Sequence, residues 1–391
     1  MNIVNIGTYP PKQCGIATFS MDLRKSLQMN GHDVRIISVS EEASEYVYPS
    51  EVIFNIRQQH KQDYIKAANL INSSSFIDMV IIQHEYGIYG SREGELVMEL
   101  AKLLHRPYVL VTHTVLPQPS KHQKQVLNYL CHRASGIVCM TRRSANLLAN
   151  LYEAPEEVTS VIAHGVPNFP VQSSDVLKTR YGLQGRDIVS TFGLIGPGKG
   201  LELGIKAMQE VCRVYPQSLY LILGQTHPML RKTEGEKYRH MLEGLVDELG
   251  LRNHVAFVNR FLSDDELGEF LYLTDIYLSP YPNRDQAVSG TLAFALGCGR
   301  AIVSTSYAYA CEVLAEGRGL IADKTDYREL SALIQKILAD PDLKSGLQTA
   351  ALNLGKSWTW VNVGRLYTNF FNKILDTPML VREKGFNYAK L

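Results

Sequence analysis

The sequence predicts an α/β protein with two doubly wound domains, each containing a parallel sheet between layers of helices. Short β-branched runs alternate with helical patterns along the chain, as in successive βαβ units. The proline- and serine-containing segment 168–175 interrupts this alternation. A length of 391 residues suits about two domains, each with a core of its own.

The apolar runs that predict the strands fall into two series. The first series comprises Ile3–Gly7, Val34–Val39, Val52–Ile56, Met79–Gln83, Tyr108–Thr112, Ile137–Met140 and Val158–Ile162. The second series begins at Ile188 and continues with Leu219–Leu223, Val255–Val258, Ile276–Ser279, Ala301–Ser304 and Leu320–Ile321. Such runs are buried on both faces, which is typical of parallel sheets. We therefore expect one domain over residues 1–170, a second over 171–360 and a helix-compatible tail over 361–391.

The charge balance excludes nucleic acid as the main partner, because 40 basic residues against 39 acidic ones leave a formal charge of +1. The basic segments Lys121–Arg133 and Arg231–His240 are interpreted as solvated helix faces, with peripheral membrane contact at most. Six cysteines without a C-x-x-C pair indicate reduced thiols. The sequence shows no basic leader and no apolar stretch of about 18 residues, so we expect a cytoplasmic protein.

The sequence TFGLIGPGKGLE at Thr191–Glu202 predicts an anion-binding loop. An apolar run ends there in Lys199 and four glycines, directly before an amphipathic helix; the glycines are Gly193, Gly196, Gly198 and Gly200. Glycines let backbone amides approach a ligand closely, and a helix N-terminus adds a partial charge of roughly +0.5. The loop lacks the Lys-Ser or Lys-Thr pair of a P-loop, and the G-x-G-x-x-G spacing fails at Leu201. A solvated glycine-rich turn is the alternative interpretation of the same residues.

Polar residues also follow three strands of the first predicted domain. The first strand leads into TYPPKQCGIATF, where the amides of Gly15 and Ile16 can contact a ligand. The fourth strand leads into His84 and Glu85 and the fifth into His113, so these side chains are expected at one edge of the sheet. A lone histidine is more often structural, but three polar groups at one edge favour a ligand site. No HExxH, C-x-x-C or D-x-D spacing is present, so no metal site is predicted.

The segment Tyr281–Gly299 combines a polar loop with a small-residue helix, whose first turn is predicted at Val288–Leu292. Its N-terminus would carry the hydroxyls of Ser289 and Thr291. The loop residues Arg284, Asp285 and Gln286 can contact a sugar or a phosphate there. Ligands of open α/β sheets bind beyond the C-terminal ends of the strands, so the cleft between two such domains is the expected site.

These motifs, in their order along the chain, resemble the GT-B glycosyltransferases of family four. The resemblance rests on the glycine-containing N-terminal loop, the Thr112–His113 pair, the G-x-x-x-P-x-K-G loop from Gly193 to Gly200, and the Pro280–Tyr281 loop that enters a small-residue helix. It covers almost the entire chain. It implies two Rossmann-like domains that face each other across a cleft, with the tail 361–391 as a helix that returns to the first domain.

The resemblance implies a retaining transferase that moves a hexosyl group from a nucleotide-sugar donor to a sugar or glycan acceptor, without a metal ion or other cofactor. Lys199 matches the lysine that neutralises the donor diphosphate, and His113 matches the histidine near the donor sugar. Further donor contacts are implied for Gly15, Ile16, Gly196, Gly198, Gly224, Val258, Arg284, Ser289, Gly290, Thr291 and Glu312, and the segment Phe257–Phe261 would flank the base. Acceptor contacts are expected from His84 and Glu85.

The chain departs from the family pattern at three positions. Leu194 stands where the family has an arginine, and Gln286 and Phe294 stand where it has two glutamates eight positions apart. Gln286 can still form a hydrogen bond with a sugar hydroxyl, as a third catalytic-site residue, whereas Phe294 cannot accept from ribose hydroxyls. Arg284 and Glu312 are expected to supply charge and polar contacts in this region.

Two other functions stay open from the sequence. A glycoside phosphorylase of the same fold would need no ribose contact, which suits Phe294, but it requires a tight phosphate site that the change at Leu194 weakens. A non-catalytic sugar or nucleotide-sugar binding protein is the other alternative, and the presence of Lys199 and His113 speaks against it. The motifs do not specify the donor base, the transferred sugar, the acceptor or the oligomeric state.

Overall fold

The computed structural model describes residues 1–41 and 46–376, and these form two compact units. One unit contains residues 1–163 together with the segment that begins at Trp360, and the other contains residues 164–359. The chain therefore leaves the first unit, builds the second and then returns. Residues 377–391 of the predicted tail lie outside the described residues.

The first unit is built on one sheet of seven parallel strands. The strands are β1 (Asn2–Gly7), β2 (Asp33–Ser40), β3 (Val52–Arg57), β4 (Met79–His84), β5 (Tyr108–Thr112), β6 (Gly136–Cys139) and β7 (Thr159–Val161). The helices are α1 (Gly15–Met29), α2 (Lys61–Ser73), α3 (Leu96–Leu103), α4 (Lys121–Arg133) and α5 (Arg142–Tyr152). The strand order β3-β2-β1-β4-β5-β6-β7 reverses its direction between β1 and β4.

The second unit contains a sheet of six parallel strands. The strands are β8 (Asp187–Phe192), β9 (Ser218–Leu223), β10 (Val255–Val258), β11 (Ile276–Ser279), β12 (Ala301–Thr305) and β13 (Leu320–Ala322). The helices are α6 (Ser174–Arg180), α7 (Leu201–Val214), α8 (Pro228–Glu234), α9 (Lys237–Glu248), α10 (Asp264–Leu273), α11 (Gly290–Gly297), α12 (Ala308–Val313), α13 (Tyr327–Ala339) and α14 (Pro341–Ser357). The order β10-β9-β8-β11-β12-β13 reverses between β8 and β11. The predicted pair of doubly wound parallel sheets is confirmed.

Burial of both sheet faces explains why the strands read as continuous apolar runs. Every residue of β4, β5 and β9 is buried. In β9 the side chains of Leu219, Leu221 and Leu223 join one apolar cluster, while Tyr220 and Ile222 join another on the opposite face. Helices on both sides are therefore required to cover each sheet.

A last helix, α15 (Trp360–Asp376), belongs to the first unit and packs on α1. The Ser26 hydroxyl of α1 donates a hydrogen bond to the Trp360 carbonyl, and the Trp360 ring lies 5.2 Å from the Phe19 ring. A Cβ atom on Gly364 would lie 2.1 Å from the Ser26 hydroxyl, so the two helices approach as closely as glycine permits.

Caps determine where the helices at the strand ends begin. The thiol of Cys14 is the N-cap of α1 and accepts from the Ala17 amide at 3.4 Å. Ser289 is the N-cap of α11, because its hydroxyl accepts from the Leu292 amide at 3.3 Å. The predicted first turn at Val288–Leu292 therefore starts too early, and the helix begins at Gly290.

Candidate active site

Strands β8 and β9 end in two glycines that let their backbones meet. Gly193 and Gly224 have φ angles of 123° and 138°, and a Cβ atom on Gly224 would lie 2.1 Å from the Gly193 carbonyl oxygen. Gly193 donates to the Leu223 carbonyl at 2.9 Å, and Gly224 donates to the Val258 carbonyl at 3.0 Å. Only glycine fits at position 224, and the ends of β8, β9 and β10 are tied together by backbone hydrogen bonds.

A second close approach brings the Lys199 loop against the end of β11. Lys199 closes the short 3-10 turn 197–199, and Gly200 follows with a φ of 61°. A Cβ atom on Gly200 would lie 2.2 Å from the Pro280 carbonyl oxygen, so no other residue fits there without a backbone shift. The half-buried Lys199 consequently reaches Tyr281: its ammonium donates to the Tyr281 hydroxyl at 2.5 Å and lies 4.5 Å from the ring centroid.

The Tyr281 hydroxyl that contacts Lys199 lies close to the hydroxyls of Ser289 and Thr291, and we call these three groups the hydroxyl cluster. The Tyr281 oxygen lies 2.8 Å from Thr291 Oγ1 and 3.5 Å from Ser289 Oγ. Burial acts to raise the pKa of Tyr281, but the Lys199 charge and the hydrogen bonds outweigh it and hold the pKa below its ordinary value. The cluster lies where the strand order reverses, beside the N-terminus of α11. A fixed cation among hydroxyls at a helix start suits an anionic group such as phosphate.

The other polar residues predicted for this loop have contacts of their own. Arg284 is exposed and its guanidinium donates to the Asp323 carbonyl at 3.5 Å. The Gln286 amide group donates to the Val288 carbonyl at 2.9 Å. Glu312 lies on the short helix α12 and is half-buried. The structure thus brings Ser289 and Thr291 to the Tyr281 hydroxyl that Lys199 contacts, whereas Arg284 and Gln286 donate to backbone carbonyls.

The Phe294 position is apolar in the structure. Phe294 is buried, with ring centroids 6.0 Å from Phe192, 6.2 Å from Phe169 and 6.1 Å from His164. His164 is itself buried, which lowers its pKa to about 4, and its Nδ1 lies 2.7 Å from the Gly165 carbonyl oxygen. A Cβ atom on Gly290 would lie 3.0 Å from the His164 ring, so this neutral histidine packs against the start of α11.

In the first unit, the His113 imidazole is held in place by a row of two buried amide side chains, those of Gln83 and Asn5. Its Nε2 atom lies 2.8 Å from Gln83 Oε1, and the Gln83 amide group donates to Asn5 Oδ1 at 2.9 Å. Gln83 and Asn5 are fully buried, and the Phe19 ring packs edge-on against the half-buried imidazole at 4.8 Å. This direction of hydrogen bonding places a proton on Nε2 of His113.

His84 is the last residue of β4 and Glu85 follows it, but the two side chains differ in exposure. Glu85 accepts from the Thr114 hydroxyl at 2.5 Å and from the Tyr86 amide at 3.0 Å, and burial raises the pKa of its carboxyl group. His84 is fully buried, which lowers its pKa to about 4, and its ring nitrogens have no hydrogen-bond partner among the described residues. Gly15 is exposed and Ile16 half-buried at the start of α1. The acceptor role of His84 stays a prediction, and its covered side chain would have to become accessible.

Comparison with known families assigns both halves of the chain. Residues 14–168 match the family model for Glycosyltransferase Family 4, and residues 177–353 match the model for Glycosyl transferases group 1. The two matches follow the two units of the structure. The chain belongs to glycosyltransferase family four.

Curated relatives of this glycosyltransferase are about a quarter identical to it over the residues that align. A 2-deoxystreptamine glucosyltransferase from Streptomyces kanamyceticus is 24% identical over 276 residues, 66% of this chain and 67% of that protein. A GDP-mannose-dependent alpha-(1-6)-phosphatidylinositol monomannoside mannosyltransferase from Mycolicibacterium smegmatis is 25% identical over 191 residues, and the match spans 47% of each chain. The chain thus aligns with about half the length of the mannosyltransferase.

Solved structures confirm that the glycosyltransferase has the GT-B fold. Anabaena HepE in complex with UDP superposes with a TM-score of 0.76 at 16% identity, covering 95% of this chain and all of HepE. Sucrose-phosphate synthase from Thermosynechococcus elongatus superposes with a TM-score of 0.78 at 16% identity, covering 96% of this chain and 99% of the other.

Some residues near the candidate site were not singled out by the sequence patterns. The sequence pattern marks Tyr281 only as the start of a polar loop, although its place after β11 matches that of the other strand-end residues. The pattern marks Gln83 only as a strand residue, and His164 lies in a segment without a periodic pattern.

Among residues 1–41 and 46–376, no group of His, Cys, Asp and Glu side chains is arranged to hold a metal ion, and no helix has the length and apolar character for a bilayer crossing. Metal independence stays a prediction.

Proposed function

We propose that this glycosyltransferase is a retaining hexosyltransferase that uses a nucleoside-diphosphate sugar as donor and a sugar or glycan as acceptor, without a metal ion. The Lys199 ammonium, fixed within the hydroxyl cluster at the start of α11, carries the proposal. A diphosphate leaving group develops negative charge as it departs, and preorganised donors stabilise such charge most effectively. The names of two relatives specify GDP-mannose as donor, and HepE was solved with UDP, which supports a nucleotide diphosphate here.

The proposed roles follow from charge and position. Lys199 neutralises the donor diphosphate, with the backbone amides of Gly196, Gly198 and Gly290 as further donors. His113 and Gln286 contact the transferred sugar. Other donor contacts come from Gly15, Ile16, Gly224, Val258, Arg284, Ser289, Thr291 and Glu312, and acceptor contacts from His84 and Glu85.

In the proposed reaction, the acceptor hydroxyl attacks the anomeric carbon on the face from which the diphosphate leaves, which retains the configuration. The bond between the anomeric carbon and the phosphate oxygen breaks, the bond to the acceptor oxygen forms, and a phosphate oxygen takes the acceptor proton. The chain contributes electrostatic stabilisation and alignment rather than a nucleophile of its own.

A thermal-shift panel with uridine, guanosine and adenosine diphosphates, their hexose conjugates and inorganic phosphate tests donor binding directly. A ligand at one hundred times its Kd adds about 2.7 kcal/mol to the stability of the state that binds it. We expect a rise of several degrees in Tm with one nucleotide class. Absence of a shift with every nucleotide would contradict the proposal. NMR of the product from the responding donor then reports the anomeric configuration, and assays with and without EDTA test metal independence.

Lys199→Ala should lower kcat at least tenfold, because mutations that remove one preorganised donor typically cost roughly a hundredfold to a thousandfold. Lys206→Ala is the matched control, since Lys206 lies on α7 and is exposed. The Lys206 variant should keep the wild-type rate. Unchanged turnover in a folded Lys199→Ala variant would refute the diphosphate role.

A glycoside phosphorylase is the second candidate, and the apolar surroundings of Phe294 favour it, because a phosphorylase needs no contact to ribose. It predicts that inorganic phosphate raises Tm while nucleotides do not. Phosphate-dependent turnover of a glycoside in the absence of nucleotide would establish it in place of the transferase.

A further inference from the structure

Tyr281 contacts Lys199 through a side chain that has almost no freedom to move. Its exposed fraction is 4%, and its ring stacks on Tyr307 with centroids 5.1 Å apart and an interplanar angle of 17°. Its backbone carbonyl accepts from the Thr305 hydroxyl at 2.6 Å. The phenol oxygen is therefore fixed by packing at the end of β11.

The flexible partner in this contact is Lys199. A lysine ammonium on a four-carbon stem loses considerable conformational entropy when it is held in one place. The ammonium can only donate, so the Tyr281 oxygen accepts from Lys199; the same oxygen also forms a hydrogen bond with Thr291 Oγ1 at 2.8 Å, in which either hydroxyl can donate. Tyr281 uses one of the three ammonium protons and leaves two for other acceptors.

We propose that Tyr281 is a positioning residue that holds the Lys199 ammonium at the end of β8 before an anionic ligand binds. The inference rests on the proposed function for the identity of that ligand as a diphosphate. Tyr281 acts through Lys199, so its effect depends on the presence of the lysine. Because the Lys199 side chain is already ordered, binding of the ligand does not have to supply the free energy for ordering it, and the affinity is higher.

The test compares Tyr281→Phe with Tyr307→Phe. Both changes remove one phenol oxygen from the same ring stack, but the Tyr281 oxygen accepts from Lys199, whereas the Tyr307 oxygen lies 2.7 Å from Ser279 Oγ and interacts with Ser289. With the responding donor, Tyr281→Phe should lower kcat/KM by about tenfold to a hundredfold, the range for a hydrogen bond to a charged group. Tyr307→Phe should stay within about twofold. Equal losses in both variants would overturn the inference, because they would indicate a general effect of cavity or packing.

A double variant decides whether Tyr281 acts through Lys199. The inference predicts that Lys199→Ala/Tyr281→Phe is no slower than Lys199→Ala alone, since the tyrosine has no ammonium to hold. If the rate losses of the two single variants multiply in the double variant, the inference is overturned. Thermal melts of all four variants show whether each is folded, and Tyr281→Leu provides a second loss of the hydroxyl with a different side-chain shape.

Calorimetry with inorganic diphosphate separates this inference from the proposed function, because it needs no turnover. The expected result is weaker binding by both Lys199→Ala and Tyr281→Phe, with Tyr307→Phe equal to wild type. Weaker binding by Lys199→Ala alone would overturn the role of Tyr281 and leave the diphosphate site in place. Equal binding by wild type and Lys199→Ala would instead refute the diphosphate role of Lys199, and the role of Tyr281 with it.

Discussion

The ion cluster formed by Asp275, Lys178 and Lys344 should contribute strongly to the stability of the second unit. Asp275 Oδ1 accepts from the Lys344 ammonium at 2.6 Å, and Oδ2 accepts from the Lys178 ammonium at 2.6 Å and from the Ile188 amide at 2.8 Å. The side chain of Asp275 is 13% exposed and that of Lys344 is 26% exposed. The cluster joins β8, the start of β11 and the helices α6 and α14, and β11 leads directly to Tyr281.

Asp275→Asn keeps the size of the side chain but removes its charge. The single amide oxygen of asparagine cannot replace two carboxylate oxygens. Its NH2 group, which can only donate, would face another donor, because all three partners of Asp275 are N–H groups. Breaking a buried ion pair costs about 3–5 kcal/mol, and the partial exposure of Lys344 argues for the lower end, about 3 kcal/mol. A loss of this size lowers Tm by about 6–12 °C in a unit of 150–250 residues.

The pH dependence provides an independent check in urea unfolding curves. Burial acts to raise the pKa of Asp275, but the charge of Lys344 and the hydrogen bonds from Lys178, Lys344 and the Ile188 amide outweigh it, so the folded-state pKa is lowered. The cluster therefore stabilises the protein above the ordinary aspartate pKa of about 3.9 and loses this effect as the pH falls through the lowered value. The difference between wild type and Asp275→Asn should be full at pH 7 and should shrink below about pH 4.

Asp33→Asn is the control, because Asp33 has a 52% exposed side chain and lies 3.5 Å from the Arg35 guanidinium. Such surface pairs contribute at most about 1 kcal/mol, so this variant should unfold almost like wild type. A loss below about 1 kcal/mol for Asp275→Asn would refute the reasoning, as would a difference that persists undiminished at low pH.

Two further predictions concern the strand ends. Gly224→Ala should reduce donor affinity several-fold and lower Tm, because its Cβ would lie 2.1 Å from the Gly193 carbonyl oxygen; unchanged KM and Tm would contradict the close approach. Gln83→Met should remove the acceptor that fixes the proton on Nε2 of His113 and should lower kcat. Nitrogen-15 NMR of the imidazole reports which ring nitrogen carries the proton. Wild-type protein without a proton on Nε2 would contradict the prediction, because the hydrogen bonds between His113, Gln83 and Asn5 would then have the opposite direction.

The sequence predicted the sheets well because their strands are buried on both faces. Strands such as β4 and β5 contain only buried residues, so their apolar runs stand out without any knowledge of the fold. The Lys199 loop was also recognisable, since glycines and a lysine between a strand and a helix form a local pattern.

Contacts between distant residues were not predictable in this way. The contact between Lys199 and Tyr281 depends on the approach of Gly200 to Pro280, which no local pattern records. The sequence pattern predicts too early a start for α11, because the capping role of Ser289 depends on backbone geometry. Cys14 caps α1 although cysteine is not a preferred N-cap residue, so composition gave no signal for it.

The return of α15 to the first unit affects how the chain can fold during synthesis. The surface of α1 around Phe19 and Ser26 is covered by a helix that follows the whole second unit in sequence. On the ribosome, β1 to β7 emerge long before that cover, so this apolar surface stays open while the second unit is made. The second unit, which is continuous over residues 164–359, can fold as soon as it emerges, whereas the first unit is completed only when α15 arrives.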